Sequence, residues 1–215
     1  MNKVQLPQPT LIFVAGGPGI GKTTLIDGLA LRISSVCFVL KDAVGDPMLR
    51  SHLPGERGTL SGLRIDMASE FYKTHLRDQI YYSLLDLGIT NLSRGLSPFI
   101  EGNYTGGIKN GYFQRVAFPY LEEKGFGKFR RKMLFCYAPL ETIAKRLKVR
   151  NAPRDAEKLA SEEALQKYMS NQNWLPSNLD EDFPGNLVVD TSKSLKENTE
   201  RAMGYLMRDE RSLNF

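Results

Sequence analysis

Cysteine is scarce. The 215-residue chain has two, Cys37 and Cys136, too few for a disulfide framework. Both sit inside apolar runs, where buried free thiols of a reducing compartment are expected. Histidine is as sparse, and neither His52 nor His75 has a neighbour at metal-ligand spacing, so both read as surface or core residues. The one tryptophan, Trp174, precedes Leu175-Pro176 and reads as a packing anchor. No apolar run reaches membrane-spanning length. The run Leu11 to Ala15 after Lys3 passes straight into glycines without a cleavage pattern, so it is no secretion signal, and a cytoplasmic location is expected. No repeat or low-complexity linker is visible, and the 19 glycines follow no three-residue period, which excludes a collagen-like chain.

What is present is globular. Hydrophobic residues make up 41% and charged residues 25%, which excludes a mainly disordered chain. The net charge of +5 suits anionic ligands such as nucleotides but falls short of a dedicated nucleic-acid binder. The length fits one sizeable α/β domain spanning 1–215.

Five apolar runs read as strands: Leu11 to Ala15, Val36 to Leu40, Pro98 to Glu101, Met133 to Tyr137 and Leu187 to Asp190. Each is nearly continuous rather than alternating, as in a parallel sheet covered on both faces. Helical spacing runs over Lys22 to Ile33 and from Asp66 to about Arg94, where Gly88 is a candidate break. Further helices are expected at Tyr112 to Glu123, Leu140 to Arg150, Ser161 to Asn171 and Leu195 to Met207, with Pro139 in the first turn of one and Ser161 starting another. Strand alternating with helix predicts a doubly wound α/β fold. The stretch Lys124, Lys128, Arg130, Arg131 and Lys132, with Phe126 and Phe129 interleaved, reads as a solvated loop before the fourth strand, a single-stranded nucleic-acid surface being the lesser alternative.

The strongest chemical signal is Gly16-Gly17-Pro18-Gly19-Ile20-Gly21-Lys22-Thr23, which fits G-x-x-x-x-G-K-[ST] between a predicted strand and a predicted helix. Glycines let successive N–H groups point at phosphate oxygens. The helix N-terminus adds its positive dipole end. Lys22 supplies a point charge for the β and γ phosphates, and Thr23 a hydroxyl for Mg²⁺. Gly17, Pro18, Gly19, Ile20, Gly21, Lys22, Thr23 and Thr24 are thus the expected nucleotide-binding residues. A GTPase would need N-K-x-D, which is absent, and Asp42-Ala43-Val44-Gly45 follows Lys22 too closely for a switch segment.

From the second strand onward the chain resembles the small P-loop kinases, the group of shikimate kinase, gluconate kinase, chloramphenicol phosphotransferase, the zeta-toxin kinases and the polynucleotide kinase domain. The resemblance rests on Leu40-Lys41-Asp42, on Ile100-Glu101-Gly102-Asn103-Tyr104, on the arginine-bearing Lys145 to Asp155 and on Val189-Asp190-Thr191-Ser192. It implies a three-layer P-loop domain with five parallel strands in the order 2-3-1-4-5, an acceptor-side insert at about 43–66 and a helical lid at about 146–162. It implies an ATP- and Mg²⁺-dependent transfer of the γ-phosphoryl group to a small-molecule hydroxyl. Asp42 would activate the acceptor, Thr23, Asp42 and Glu101 would serve the metal, and Glu101 stands where the group usually has Asp. Arg146, Arg150 and Arg154 would neutralise charge as the lid closes, with Arg150 and Thr191 also on the nucleotide side. Asp42, Arg57, Arg64, Glu101, Asn103 and Tyr104 would face the acceptor. A polynucleotide 5′-hydroxyl or nucleotide kinase, or an ATP-binding regulator without transfer, remains an alternative on the same fold.

Overall fold

The computed structural model describes residues 2–50, 69–151, 155, 157–172, 179–183 and 185–208. Five parallel strands form the main sheet: β2 (Thr10–Ala15), β4 (Val36–Leu40), β5 (Ser97–Gly102), β6 (Arg130–Tyr137) and β7 (Leu187–Asp190). A separate parallel pair, β1 (Val4–Gln5) and β3 (Ile33–Ser34), is an addition to the elements expected from sequence. It shortens the first helix to α1 (Lys22–Ala30), so Ile33 belongs to a strand. The main sheet runs β4-β5-β2-β6-β7. Those numerals differ from the expected ones because the short pair is counted, and among the five main strands alone the order reads 2-3-1-4-5. Cys37 on β4 and Cys136 on β6 are both free, with two strands between them.

Side-chain alternation divides the core into two layers. Ile12, Val14, Phe99, Leu134, Cys136 and Val189 face α1, α6 (Leu140–Arg150) and α9 (Leu195–Met207). Leu11, Phe13, Ala15, Ile100, Met133 and Phe135 face α3 (Arg77–Leu92), α4 (Thr105–Lys109) and α5 (Phe118–Glu123). With both faces covered, β2 has no exposed residue, which is why its sequence reads as an unbroken apolar run.

Two departures from the sequence reading come from close packing. Gly88 does not break α3: a Cβ there would lie 2.6 Å from Ile100 Cδ1, so the glycine lets the helix approach the sheet. The start of the expected insert is a helix, α2 (Lys41–Arg50), despite Gly45 and Pro47. Gly45 faces Ile80 of α3, where a Cβ would stand at 3.2 Å. Val44, Met48 and Leu49 of α2 pack on Tyr72, Leu76 and Ile80. This apolar contact outweighs the poor helix propensity of the segment. Asp46, although it precedes a proline, is therefore helical.

Two π-helical turns lead into helices, Tyr72–Leu76 into α3 and Phe113–Ala117 into α5. Beyond α6 come a 3₁₀ turn (Glu157–Leu159), α7 (Glu162–Gln172) and α8 (Leu179–Asp182). The expected start at Ser161 is met, its hydroxyl accepting the Ala164 N–H at 3.0 Å. Pro139 precedes α6 as its N-cap instead of lying in the first turn.

The basic stretch before the fourth strand is corrected in part. Arg130, Arg131 and Lys132 lie within β6, not in a loop. Arg130 is buried, donating to Thr10 Oγ1 at 3.1 Å, to the Leu206 carbonyl at 2.9 Å and to the Arg208 carbonyl, which ties β6 to the end of α9. Arg131 lies 4.1 Å over the Phe118 ring, and Lys132 4.5 Å over Tyr205. These cations hold the fold together rather than form a surface strip. Replacing Arg130 by methionine keeps the bulk but strips the last turn of α9 of its donors. Urea unfolding of Arg130→Met should show a loss of about 2–3 kcal/mol, whereas the exposed Lys128→Met should change stability by less than about 0.5 kcal/mol.

Candidate active site

The loop from β2 to α1 closes around itself. Gly16, Gly19 and Gly21 have φ of +140°, +76° and +102°, conformations that side-chain-bearing residues rarely adopt. A Cβ at Gly16 would meet the Cys136 carbonyl oxygen at 2.8 Å, and one at Gly19 the Leu147 side chain at 2.8 Å. Lys22 opens α1 and is buried, its Nζ donating to the carbonyls of Gly16 at 2.8 Å and Gly17 at 3.1 Å. The same nitrogen pairs with Glu101 Oε1 at 3.0 Å. Glu101 lies opposite Val14 and Leu40, the second-last residue of β2 and the last of β4, so its acid closes an inner strand at the carboxyl edge. A buried ammonium is thus held by one carboxylate and two carbonyls, with the α1 N-terminus behind it. Thr23 and Thr24 follow with exposed side chains in the first turn of α1.

The far side of the loop is fixed by groups whose roles sequence reasoning did not foresee. Arg146 of α6 donates to the Ile20 carbonyl at 2.9 Å, to Thr191 Oγ1 at 3.0 Å and to the Thr191 carbonyl at 2.6 Å. Thr191 Oγ1 also bonds the Ile20 carbonyl and lies 3.1 Å from that of Tyr137. Arg146 and Thr191 therefore clamp the phosphate-type loop to the ends of β6 and β7. Asp190 accepts Ser192 Oγ and Ser192 N–H, and the Ser192 hydroxyl bond first of all lowers its pKa. Buried Asn198 of α9 donates to the Asp190 carbonyl at 2.8 Å. The resemblance had put Thr191 on the nucleotide side, whereas the partners of Thr191 and Asn198 come only from the tertiary fold.

Asp42 stands half-buried in the first turn of α2, two residues past Leu40, beside the strand end that carries Glu101. Asn103 accepts Thr105 Oγ1 at 2.9 Å, while its carbonyl accepts the Tyr81 hydroxyl at 2.8 Å. Tyr104 is only 2% exposed and packs with Phe13, Tyr81, Tyr112 and Phe113. It is as much a core residue as a rim residue. Burial pushes the phenols of Tyr81, Tyr104 and Tyr112 well above their ordinary range, so all three stay protonated. Among the expected residues, Arg57, Arg64 and Arg154 lie outside the described residues, as do His52 and Trp174.

Arg150 ends α6, as expected from sequence, and Asn151 caps it in the left-handed conformation. Its guanidinium is bound to Asp155 Oδ2 through Nε at 2.8 Å and through a second nitrogen at 2.5 Å, and Lys158 holds Oδ1 at 2.8 Å. Burial of Asp155 raises its pKa, but the bonds from Lys158 and Arg150 more than offset this and hold it below the ordinary carboxylate range. A carboxyl depressed in the folded state stabilises fully above its unfolded pKa of about 3.9 and loses that contribution as pH falls through the folded value. Asp155→Asn should therefore lower the unfolding midpoint at pH 7, with the gap to wild type narrowing below about pH 4.

No family model and no curated protein matches the sequence. Solved structures do match. A Chloroflexus aurantiacus protein provisionally described as a kinase aligns at TM-score 0.61 and 22% identity over 93% of this chain and 97% of its own. A sugar kinase of a Janibacter species aligns at 0.55 and 18% over 93% and 95%, and a Sinorhizobium meliloti gluconokinase at 0.52 and 19% over 95% of each. At this identity the match is one of architecture, covering sheet, loop and flanking helices together. The chain has the three-layer α/β fold of the P-loop kinases.

Proposed function

We propose that the protein is an ATP- and Mg²⁺-dependent phosphotransferase that moves the γ-phosphoryl group to a hydroxyl of a small molecule. The observation that carries this reading is the position of Lys22, buried between the loop carbonyls and Glu101 at the N-terminus of α1. The cradle fits a polyphosphate: it has positive-φ glycines where a Cβ would clash, a cation at its centre and exposed Thr23 at its mouth. Bound nucleotide and Mg²⁺ supply the phosphoryl group and screen its oxygens. Lys22 and the loop N–H groups hold phosphate oxygens. Thr23, Asp42 and Glu101 are the oxygen donors offered to the cation, a set suited to a hard metal. Asp42 would take the proton of the acceptor hydroxyl as its oxygen bonds to the γ-phosphorus and the bond from that phosphorus to the bridging oxygen breaks, ADP leaving with the electron pair. Arg146 and Thr191 keep the loop in register with the nucleotide side. Arg150 and Arg154 supply the cationic charge that planar guanidinium groups give to phosphoryl oxygens.

Reading and test meet in two substitutions. Lys22→Ala should weaken Mg·ATP binding and lower turnover together, by about a hundredfold or more in kcat/KM. Asp42→Asn should leave nucleotide binding by calorimetry within about twofold and lower transfer by about 10²–10⁴. Full transfer by Asp42→Asn would remove Asp42 as the base.

A further inference from the structure

A cleft of about 660 Å³ opens beside Asn103, two residues beyond Glu101. That volume is in the range that encloses a drug-sized ligand. Tyr81, Tyr104 and Tyr112 line it and pack on one another, with ring centroids 5.2 to 6.2 Å apart. Gly102, the residue after Glu101, packs against this wall: a Cβ there would meet the Tyr104 ring at 3.0 Å and the Tyr81 ring at 3.4 Å.

Three of the cleft's polar side chains are already bonded. The Tyr81 hydroxyl is bound to the Asn103 carbonyl, the Asn103 side chain to Thr105, and the Arg77 guanidinium to Asp78 at 3.1 Å. The rings of Tyr81, Tyr82 and Tyr112, each at least partly exposed, offer a face to a flat ring. One charge is not balanced. Exposed Arg115 has no side-chain hydrogen bond or ion pair among the described residues, and it lines the same cleft. It belongs to the π-helical turn Phe113–Ala117 and donates its backbone N–H to Gly111. Its Nε would stand 3.4 Å from a Cβ at Gly111, so the glycine (φ +66°) leaves the guanidinium room to fold back along the rim.

We infer that the acceptor is an aromatic compound bearing one anionic substituent, its ring against Tyr81 and Tyr112 and its anion on Arg115. This rests on the phosphotransferase reading above and narrows it to a substrate class. Arginine suits carboxylate and phosphate alike through paired N–H donors, so both are tested.

The experiment is calorimetric titration of the full chain with 4-(hydroxymethyl)benzoate, 4-(hydroxymethyl)phenyl phosphate, the neutral 4-(hydroxymethyl)benzamide and the sugar acid glucuronate. The same series is run on Arg115→Gln, with its thermal midpoint checked against wild type. At least one aromatic anion should bind about tenfold or more tighter than the amide and than glucuronate, and Arg115→Gln should abolish that advantage while leaving amide binding unchanged. Glucuronate or the amide binding as tightly, no binding of any aromatic probe, or equal weakening of anion and amide by the substitution would overturn the inference. ATP binding and phosphoester formation are scored separately, with Lys22→Ala as the blank. ATP binding without the probe preference removes the acceptor class alone. The preference without any phosphoester removes the transfer reading and leaves the binding class standing.

Discussion

The structure depends on a loop that must turn where side chains cannot fit. Gly16, Gly19 and Gly21 take positive φ against the Cys136 carbonyl, Leu147, and the Arg146–Thr191 pair in turn. Those neighbours come from β6, α6 and the turn after β7, so the loop is shaped by elements that follow it by more than a hundred residues. Sheet order and loop shape are one constraint: only with β6 beside β2, and β7 beyond, do these groups close on the glycines.

The same arrangement prepares charge without strain. Lys22 is satisfied by Glu101 and two carbonyls, so a buried ammonium has partners before any ligand arrives. On the proposed function, a phosphate entering the loop would bring charge to a cation already fixed in place, which reduces the reorganisation that binding requires. Asn103, just past the end of β5, lines the tyrosine-walled cleft. The glycine loop and the cleft therefore both lie at the carboxyl ends of neighbouring strands, the usual place for ligands in open α/β sheets.

Much of this was legible in the sequence. Continuous apolar runs gave all five main strands, because a strand buried on both faces needs no polar alternation. The glycine-lysine motif located the tight loop between β2 and α1. What escaped was set by tertiary contact. α2 forms against Ile80 although Gly45 and Pro47 argue locally for a turn, and Gly88 looks like a helix break although it serves a close approach. Arg130 and Lys132 look solvated in one dimension and are buried in three. Arg146 and Arg150 were placed correctly on one helix, yet their partners, Ile20, Thr191 and Asp155, could not be read from spacing.

The most direct test of the central claim is ³¹P NMR of the full chain with Mg·ATP and hydroxyl compounds. A new phosphomonoester signal growing in step with ADP, dependent on the acceptor, is the result the account predicts. ADP accompanied only by inorganic phosphate whatever acceptor is present, or ATP that stays intact while bound, would contradict it.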